Sequence, residues 1–183
     1  MRSFVKLGDI ASLKTGPFGT QFSAAEYIAE GIPVINVKNI GYGLIDDDDL
    51  DFISSSTRDR LSEHVLVEGD IVFGRKGSVD KHGYITDKES GWVQGSDCIR
   101  VRCKSGINSH FVSHYLRLNS VKSQVLNSAV GSTMDSLNTD ILKEIRVQLP
   151  AITAQNAIEK LLSAFDAKIA INTQLNDNLP MAA

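Results

Sequence analysis

The hydrophobic period of this chain changes once, at Pro150, and that change limits the folds it can adopt. Before Pro150, short runs rich in Val, Ile and aromatic residues alternate with Gly, Asn and Ser turns, the pattern of strands and short helices. After it, apolar residues recur every three or four positions over one long stretch, which is the spacing of a helix. The chain therefore reads as two parts, a domain over residues 1–150 and a helical region over residues 151–183, whose helix runs from about 153 to 179.

Within the first part, β-branched and aromatic runs bounded by turn residues predict strands over 32–37, 70–75, 83–86, 97–103 and 145–149. Helices are predicted over 56–63, with Ser56 or Thr57 as cap, and over 110–127, where Phe111, Val112, Tyr115, Leu116 and Leu118 form an apolar face. A further turn of helix is expected over 138–143. Strands and helices do not alternate regularly, so the expected fold class is α+β with a mixed sheet rather than a doubly wound sheet. In the second part Ile158, Leu161, Phe165, Ile169, Asn172, Leu175 and Leu179 step by an average of about 3.5 residues, the seam of a coiled coil. A polar residue on such a seam, Asn172, fixes register and orientation, and Pro180 ends the helix. Packing of this helix on its own domain is the alternative.

At 183 residues the chain can build one substantial core, and 42% hydrophobic with 22% charged residues excludes a wholly disordered chain. No apolar run approaches the roughly 18 residues that a membrane span needs, and Met1 to Lys6 lack the apolar core of a secretion signal, so a cytoplasmic location is expected. Cys98 and Cys103 read as free thiols, and His110 and His114 bracket Phe111, Val112 and Ser113 with no Glu beside the first His, so no zinc site is expected. The net charge of −3 weighs against nucleic-acid binding, which draws much of its affinity from phosphate neutralisation. Five acids, Asp46–Asp49 and Asp51, are bunched within six positions, however, which leaves room for a basic face elsewhere.

Leu149-Pro150, Gln155, Ile158, Leu162 and the run Phe165-Asp166-x-Lys168-Ile169 resemble the start of the conserved region that follows each target-recognition domain in type I restriction-modification specificity subunits. Upstream, Val5-Lys6-Leu7-Gly8-Asp9-Ile10 and Lys14-Thr15-Gly16 resemble that family's opening, and Ile32-Pro33-Val34-Ile35-Asn36-Val37 its first core strand. Gly69-Asp70-Ile71-Val72-Phe73, Arg75-x-Gly77-Ser78, Gly131-Ser132-Thr133 and Leu137-Asn138 continue the resemblance in order. Ala151 stands where a second Pro is common, and Thr153-Ala154 replaces an acidic residue before Gln155. The resemblance implies a domain that reads one half of an interrupted site in double-stranded DNA, and a helix that pairs with a second helix to set the spacing. It also implies a modification subunit, carrying the adenine methyltransferase chemistry, that docks on this scaffold, and a restriction subunit reached through the complex. One domain and one helix make this chain a half-subunit on that reading, and a second copy or a second half-subunit would restore a two-fold arrangement.

Base reading needs Arg, Lys, Asn or Gln on rigidly held loops. The first candidate is the cationic loop with Arg75, Lys76, Ser78, Lys81 and His82, which a solvated β-turn would also explain. The second holds Lys14, Thr15 and Gln21; it lacks the Gly-Lys-Ser/Thr ending of a nucleotide cradle and is equally an ordinary turn. Lys38 and Asn39 follow a strand end, where Asn reads adenine or simply forms the turn. Ser132 and Thr133 lie on a loop of small residues, and Arg100 and Arg102 would give a solvated strand face or a phosphate clamp. No glycine-rich cofactor turn and no Asn/Asp-Pro-Pro-Tyr/Phe run is present, so no catalysis, cofactor or metal is expected. Two readings from other classes stay open. One is a module that docks on the modification subunit through its helix without reading DNA; the other is a nuclease with Asp70 in a metal site.

Overall fold

The computed structural model describes residues 4–129 and 137–177. In chain order these carry β1 (Phe4–Lys6), α1 (Leu7–Ile10), β2 (Ala11–Thr15), β3 (Tyr27–Ile28), β4 (Ile32–Ile35), β5 (Asp51–Ile53), α2 (Ser55–Arg60), β6 (Ile71–Gly74), β7 (His82–Tyr84), β8 (Val93–Gln94), β9 (Cys98–Cys103), α3 (Ser109–Leu116), α4 (Asn119–Ala129), α5 (Thr139–Lys143), β10 (Arg146–Gln148) and α6 (Ile152–Asp177). One sheet has the order β2-β9-β6-β7 and is antiparallel throughout. A second has the order β3-β5-β4-β8, parallel only between β4 and β8, and β1 pairs with β10. The class is α+β, as the irregular order of elements predicts.

The first sheet is buried on both faces, which explains the unbroken apolar run of β6. Ile71 and Phe73 of β6, with Ile99 and Val101 of β9, face a core completed by Phe111, Val112 and Leu116 of α3, Val121 and Val125 of α4 and Leu142 of α5. Val72 and Cys98 point the other way, because side chains alternate along a strand, and meet Ile35, Ile40, Leu66 and Ile85 between the sheets. Each such fully buried aliphatic or aromatic side chain contributes about 1.5–3 kcal/mol. The second sheet closes on Phe22, Val34, Ile53, Leu61 and Val93.

Three boundaries differ from expectation for local reasons. The strand predicted over 32–37 stops at Ile35, because Asn36 N–H donates to Asn39 Oδ1 at 3.0 Å and closes a 3₁₀ turn over Val37–Asn39. The helix predicted over 110–127 breaks after Leu116; continued in phase it would present Asn119, Ser120 and Ser123 to the core, and the break lets Val121 and Val125 face it instead. The cap of α2 is Ser54, whose hydroxyl accepts from Thr57 N–H at 3.1 Å, in place of Ser56 or Thr57.

Helix α6 rests on α3 through polar groups. Gln155 is buried; its Nε2 donates to the Pro150 carbonyl at 2.8 Å and its Oε1 accepts from Asn108 N–H at 3.0 Å. Arg117 holds Asp166 through contacts of 2.5 and 3.3 Å, while Ser163 lies 3.4 Å from both His110 Nδ1 and His114 Nε2. Tyr84, His110 and His114 stack at this joint, with centroid separations of 4.2 and 4.6 Å. Burial, then the neighbouring His110, holds the His114 pKa below its ordinary value. Ile158, Leu161, Phe165, Ile169 and Leu175 of the expected seam are between 41% and 62% exposed, and Asn172 is exposed beside them; Leu179 and Pro180 lie outside the described residues. The helix therefore packs on its own domain and still leaves an apolar stripe uncovered. No helix of the described residues is long and apolar enough to cross a membrane.

Candidate nucleic-acid interface

Strand register brings three of the predicted loops to one edge of the fold. Thr15 pairs with Ile99 and Gly74 pairs with Cys98, so β2 ends, β9 begins and β6 ends together. Gly95 N–H donates to the Ile35 carbonyl at 2.8 Å, which joins the end of β4 to the same edge, and Gly16 N–H donates to the Cys98 carbonyl at 2.8 Å. Gly16 is required there because a methyl group at this position would overlap the Gly95 carbonyl. Thr15, Lys38, Arg75, Lys76 and the unforeseen Asp97 thus surround one rim.

The loop between β6 and β7 is a hairpin, with Phe73 paired to His82 and Gly77 at a φ of 73° that favours glycine. Arg75 N–H donates to the Asp97 carbonyl at 2.7 Å and its carbonyl accepts from Leu137 N–H at 2.8 Å, so the backbone is fixed on both sides. The Arg75 guanidinium has no carboxylate partner among the described residues. Lys76 lies 3.3 Å from Asp97, Ser78 is exposed, and the Lys81 ammonium stands 5.1 Å from the Tyr42 ring centroid.

Several expected readers are committed elsewhere. His82 is 1% exposed; its Nε2–H donates to the Ser113 carbonyl at 3.1 Å, and burial pushes its pKa down to about 3. It anchors the hairpin to α3 and does not face solvent. Asn39 is 2% exposed, and its Nδ2 donates to the carbonyls of Asp46 and Asp49 at 3.1 and 3.0 Å, so it forms the turn and cannot reach a base. Lys14 lies on β2 rather than a loop and is paired with Glu63, whose pKa that lysine holds low. Lys38 lies 2.9 Å from Asp49 and 3.3 Å from Asp51, which together raise its pKa. Gln21 is exposed, with its carbonyl taken by Arg60, and lines a separate cleft with Ser62 and Glu63.

Arg100 and Arg102 form neither a solvated face nor a phosphate clamp. Arg100 is buried and donates to the Glu63 carbonyl at 2.9 Å; Arg102 grips buried Asp70 through two contacts of 2.7 Å. Asp70 also accepts from Val67 N–H at 2.9 Å, which makes it a structural counter-ion and removes the basis for a metal site there. Ser132 and Thr133 lie outside the described residues.

The family profile described as "Type I restriction modification DNA specificity domain" matches residues 3–181. The chain belongs to this family. A type I restriction enzyme MjaVIII specificity subunit from Methanocaldococcus jannaschii is 23% identical over 183 residues, covering 97% of this chain and 42% of that protein. The type I restriction-modification S subunit from M. genitalium superposes with a TM-score of 0.66 at 19% identity, over 94% of this chain and 41% of that one. The HsdS subunit from Thermoanaerobacter tengcongensis gives 0.63 at 13% identity, over 94% and 39%. At these identities the superpositions establish the shared fold of the specificity domain. This chain spans about two fifths of the length of the curated relative it matches.

Against this family fold, the sequence missed Tyr42, Asp97 and Lys122. Tyr42 sits on the loop after β4, tied to the hairpin by a bridge to His82 and a 2.7 Å bond from Gly43 N–H to the His82 carbonyl. Lys122 lies on α4, with its ammonium 4.1 Å from the Tyr42 centroid. The pairing is long-range in sequence and carries no local signal.

Proposed function

We propose that this chain is a DNA-reading, non-catalytic module of a type I restriction-modification complex, recognising one half of a bipartite site and directing the modification and restriction subunits to it. Residues 1–150 do the reading, and the region 151–183, which carries α6, pairs with a second such region and sets the spacing. The observation that carries this reading is the rim where β2, β4 and β6 end beside the start of β9, with Arg75 fixed by its backbone and free of any carboxylate among the described residues. Rigid backbone with an uncommitted cation is what phosphate or guanine contacts require. Family membership supports the same assignment.

One observation favours a second reading. Lys14, Lys38 and Lys76 are paired with carboxylates of this chain, which suits a module that docks on the modification subunit through α6 without reading DNA. Co-expression with the modification subunit of the same genome, in a host lacking other adenine methylation, separates the two. Methylation confined to a bipartite motif supports the DNA reader; stable co-purification with no methylation supports the docking module. Arg75→Ala should weaken methylation of that motif while the complex still co-purifies, and unchanged methylation would remove the hairpin from the site.

A further inference from the structure

Cations with no carboxylate or carbonyl partner are scarce among the described residues, and two of them meet at one aromatic ring. Among the described residues most Lys and Arg side chains meet a carboxylate, and Arg100 and Lys104 donate to backbone carbonyls. The remainder are Arg75, Lys81, Lys122, Arg146, Lys160 and Lys168. Arg75 and Lys81 stand on the same hairpin, and Lys81 and Lys122 share the ring of Tyr42, at 5.1 and 4.1 Å from its centroid.

Two ammonium groups drawn to one ring repel each other, and the ring quadrupole offsets that repulsion only in part, since an exposed cation–π contact contributes about 0.5–1 kcal/mol. Asp80 is the nearby acid: its carboxylate accepts from the Tyr42 hydroxyl at 3.4 Å and pairs with neither lysine. Arg117 approaches the adjoining Gly43 but is neutralised by Asp166. The excess positive charge at Tyr42 is therefore unanswered within the described residues. Tyr42 itself is 48% exposed, and Lys81 and Lys122 are each partly exposed beside it.

From this we infer that Tyr42, Lys81 and Lys122 form an anchor for the phosphodiester backbone of double-stranded DNA, placed beside the Arg75 hairpin and resting on the reading of this chain as a DNA reader. The lysines neutralise phosphates, and Tyr42 holds their two stems in register while its exposed face packs on the sugar. The backbone bond from Gly43 to His82 and the burial of His82 fix the loop of Tyr42 rigidly to the hairpin that carries Lys81. Contacts of this kind position the duplex and carry no sequence information.

The test measures binding of a fluorescent mixed-sequence duplex across a salt series for the wild-type chain, the double variant Lys81→Gln/Lys122→Gln, Tyr42→Ala and the control Lys160→Gln. Each phosphate contact contributes about 0.9 to the slope of log affinity against log salt, so the double variant should flatten the slope by nearly 2 and the control should leave it unchanged. Tyr42→Ala should weaken binding several-fold at fixed salt with a smaller change in slope, and Tyr42→Phe should restore most of it. Steep wild-type binding with an unchanged slope in the double variant would overturn the anchor while leaving the DNA reader in place. Equal flattening by Lys160→Gln would also overturn it, because the effect would then be one of net charge. Absence of wild-type binding at low salt would overturn both. Circular dichroism confirms that the surface variants fold.

Discussion

Acidifying the protein from about pH 7 to about pH 4.5 should loosen the β6–β7 hairpin, and His82 is the group that sets the size of the effect. In the folded chain His82 is sealed between Phe73, 5.1 Å away between ring centroids, and Ser113. Burial is the main cause that depresses its pKa from 6.5 to about 3, with the nearby cations Arg117 and Lys122 acting in the same direction. The unfolded chain exposes an ordinary imidazole and binds the proton near pH 6.5. Stability from this group is therefore complete above pH 6.5 and is lost as the pH falls from 6.5 towards 3, because only the unfolded state takes up the proton. At about 1.36 kcal/mol per pH unit, the loss between pH 7 and pH 4.5 comes to roughly 2 kcal/mol. His64 and His114, whose pKa values burial also lowers, add to it with the same sign. Urea unfolding at both pH values, for wild type and His82→Gln, isolates the term: the variant should be weaker at pH 7 but should lose about 2 kcal/mol less on acidification. If the two proteins lose stability in parallel, His82 is not a buried neutral imidazole and the hairpin is not anchored through it.

Three further outcomes follow from the packing. Asp70→Asn should cost about 2–3 kcal/mol in urea unfolding, the cost of breaking a buried pair discounted for the partial exposure of Arg102; a loss under about 1 kcal/mol would contradict the structural role of the pair. Gly16→Ala should cost about 1–3 kcal/mol through overlap with the Gly95 carbonyl and should lower DNA affinity as the rim shifts, so an unchanged melting temperature would show that the two turns are not in contact. Phe165→Ser with Ile169→Ser should leave domain stability within about 0.5 kcal/mol, because both side chains are exposed, while abolishing self-association or co-purification with the modification subunit; association that survives both changes would mean that the stripe is not the pairing surface.

Elements with a strong local pattern were legible in the sequence. The apolar runs of β6 and β9, the amphipathic face of α3 and the long period of α6 each announce themselves over a few residues. The edge strand β2 did not, because Ala-Ser-Leu-Lys-Thr is polar and becomes a strand only when β9 supplies its hydrogen bonds, so Lys14 and Thr15 were read as a loop. His82 and Asn39 show the same limit at single residues: their chemistry suits DNA reading, and only burial reveals that each is occupied in holding its own turn.

By itself, then, the sequence determined the class of the fold, the change of architecture at Pro150, the ordered motifs of the family and the position of the cationic hairpin, all of which rest on interactions between residues near in the chain. The tertiary structure alone decided which cations are spent and which are free, since Lys14 meets Glu63, Lys38 meets Asp49 and Arg102 meets Asp70 across long sequence separations. It alone brought Tyr42, Lys81 and Lys122 together. The physical reason is that charge in a folded protein is settled by distance in space, and no local pattern in the chain encodes that distance.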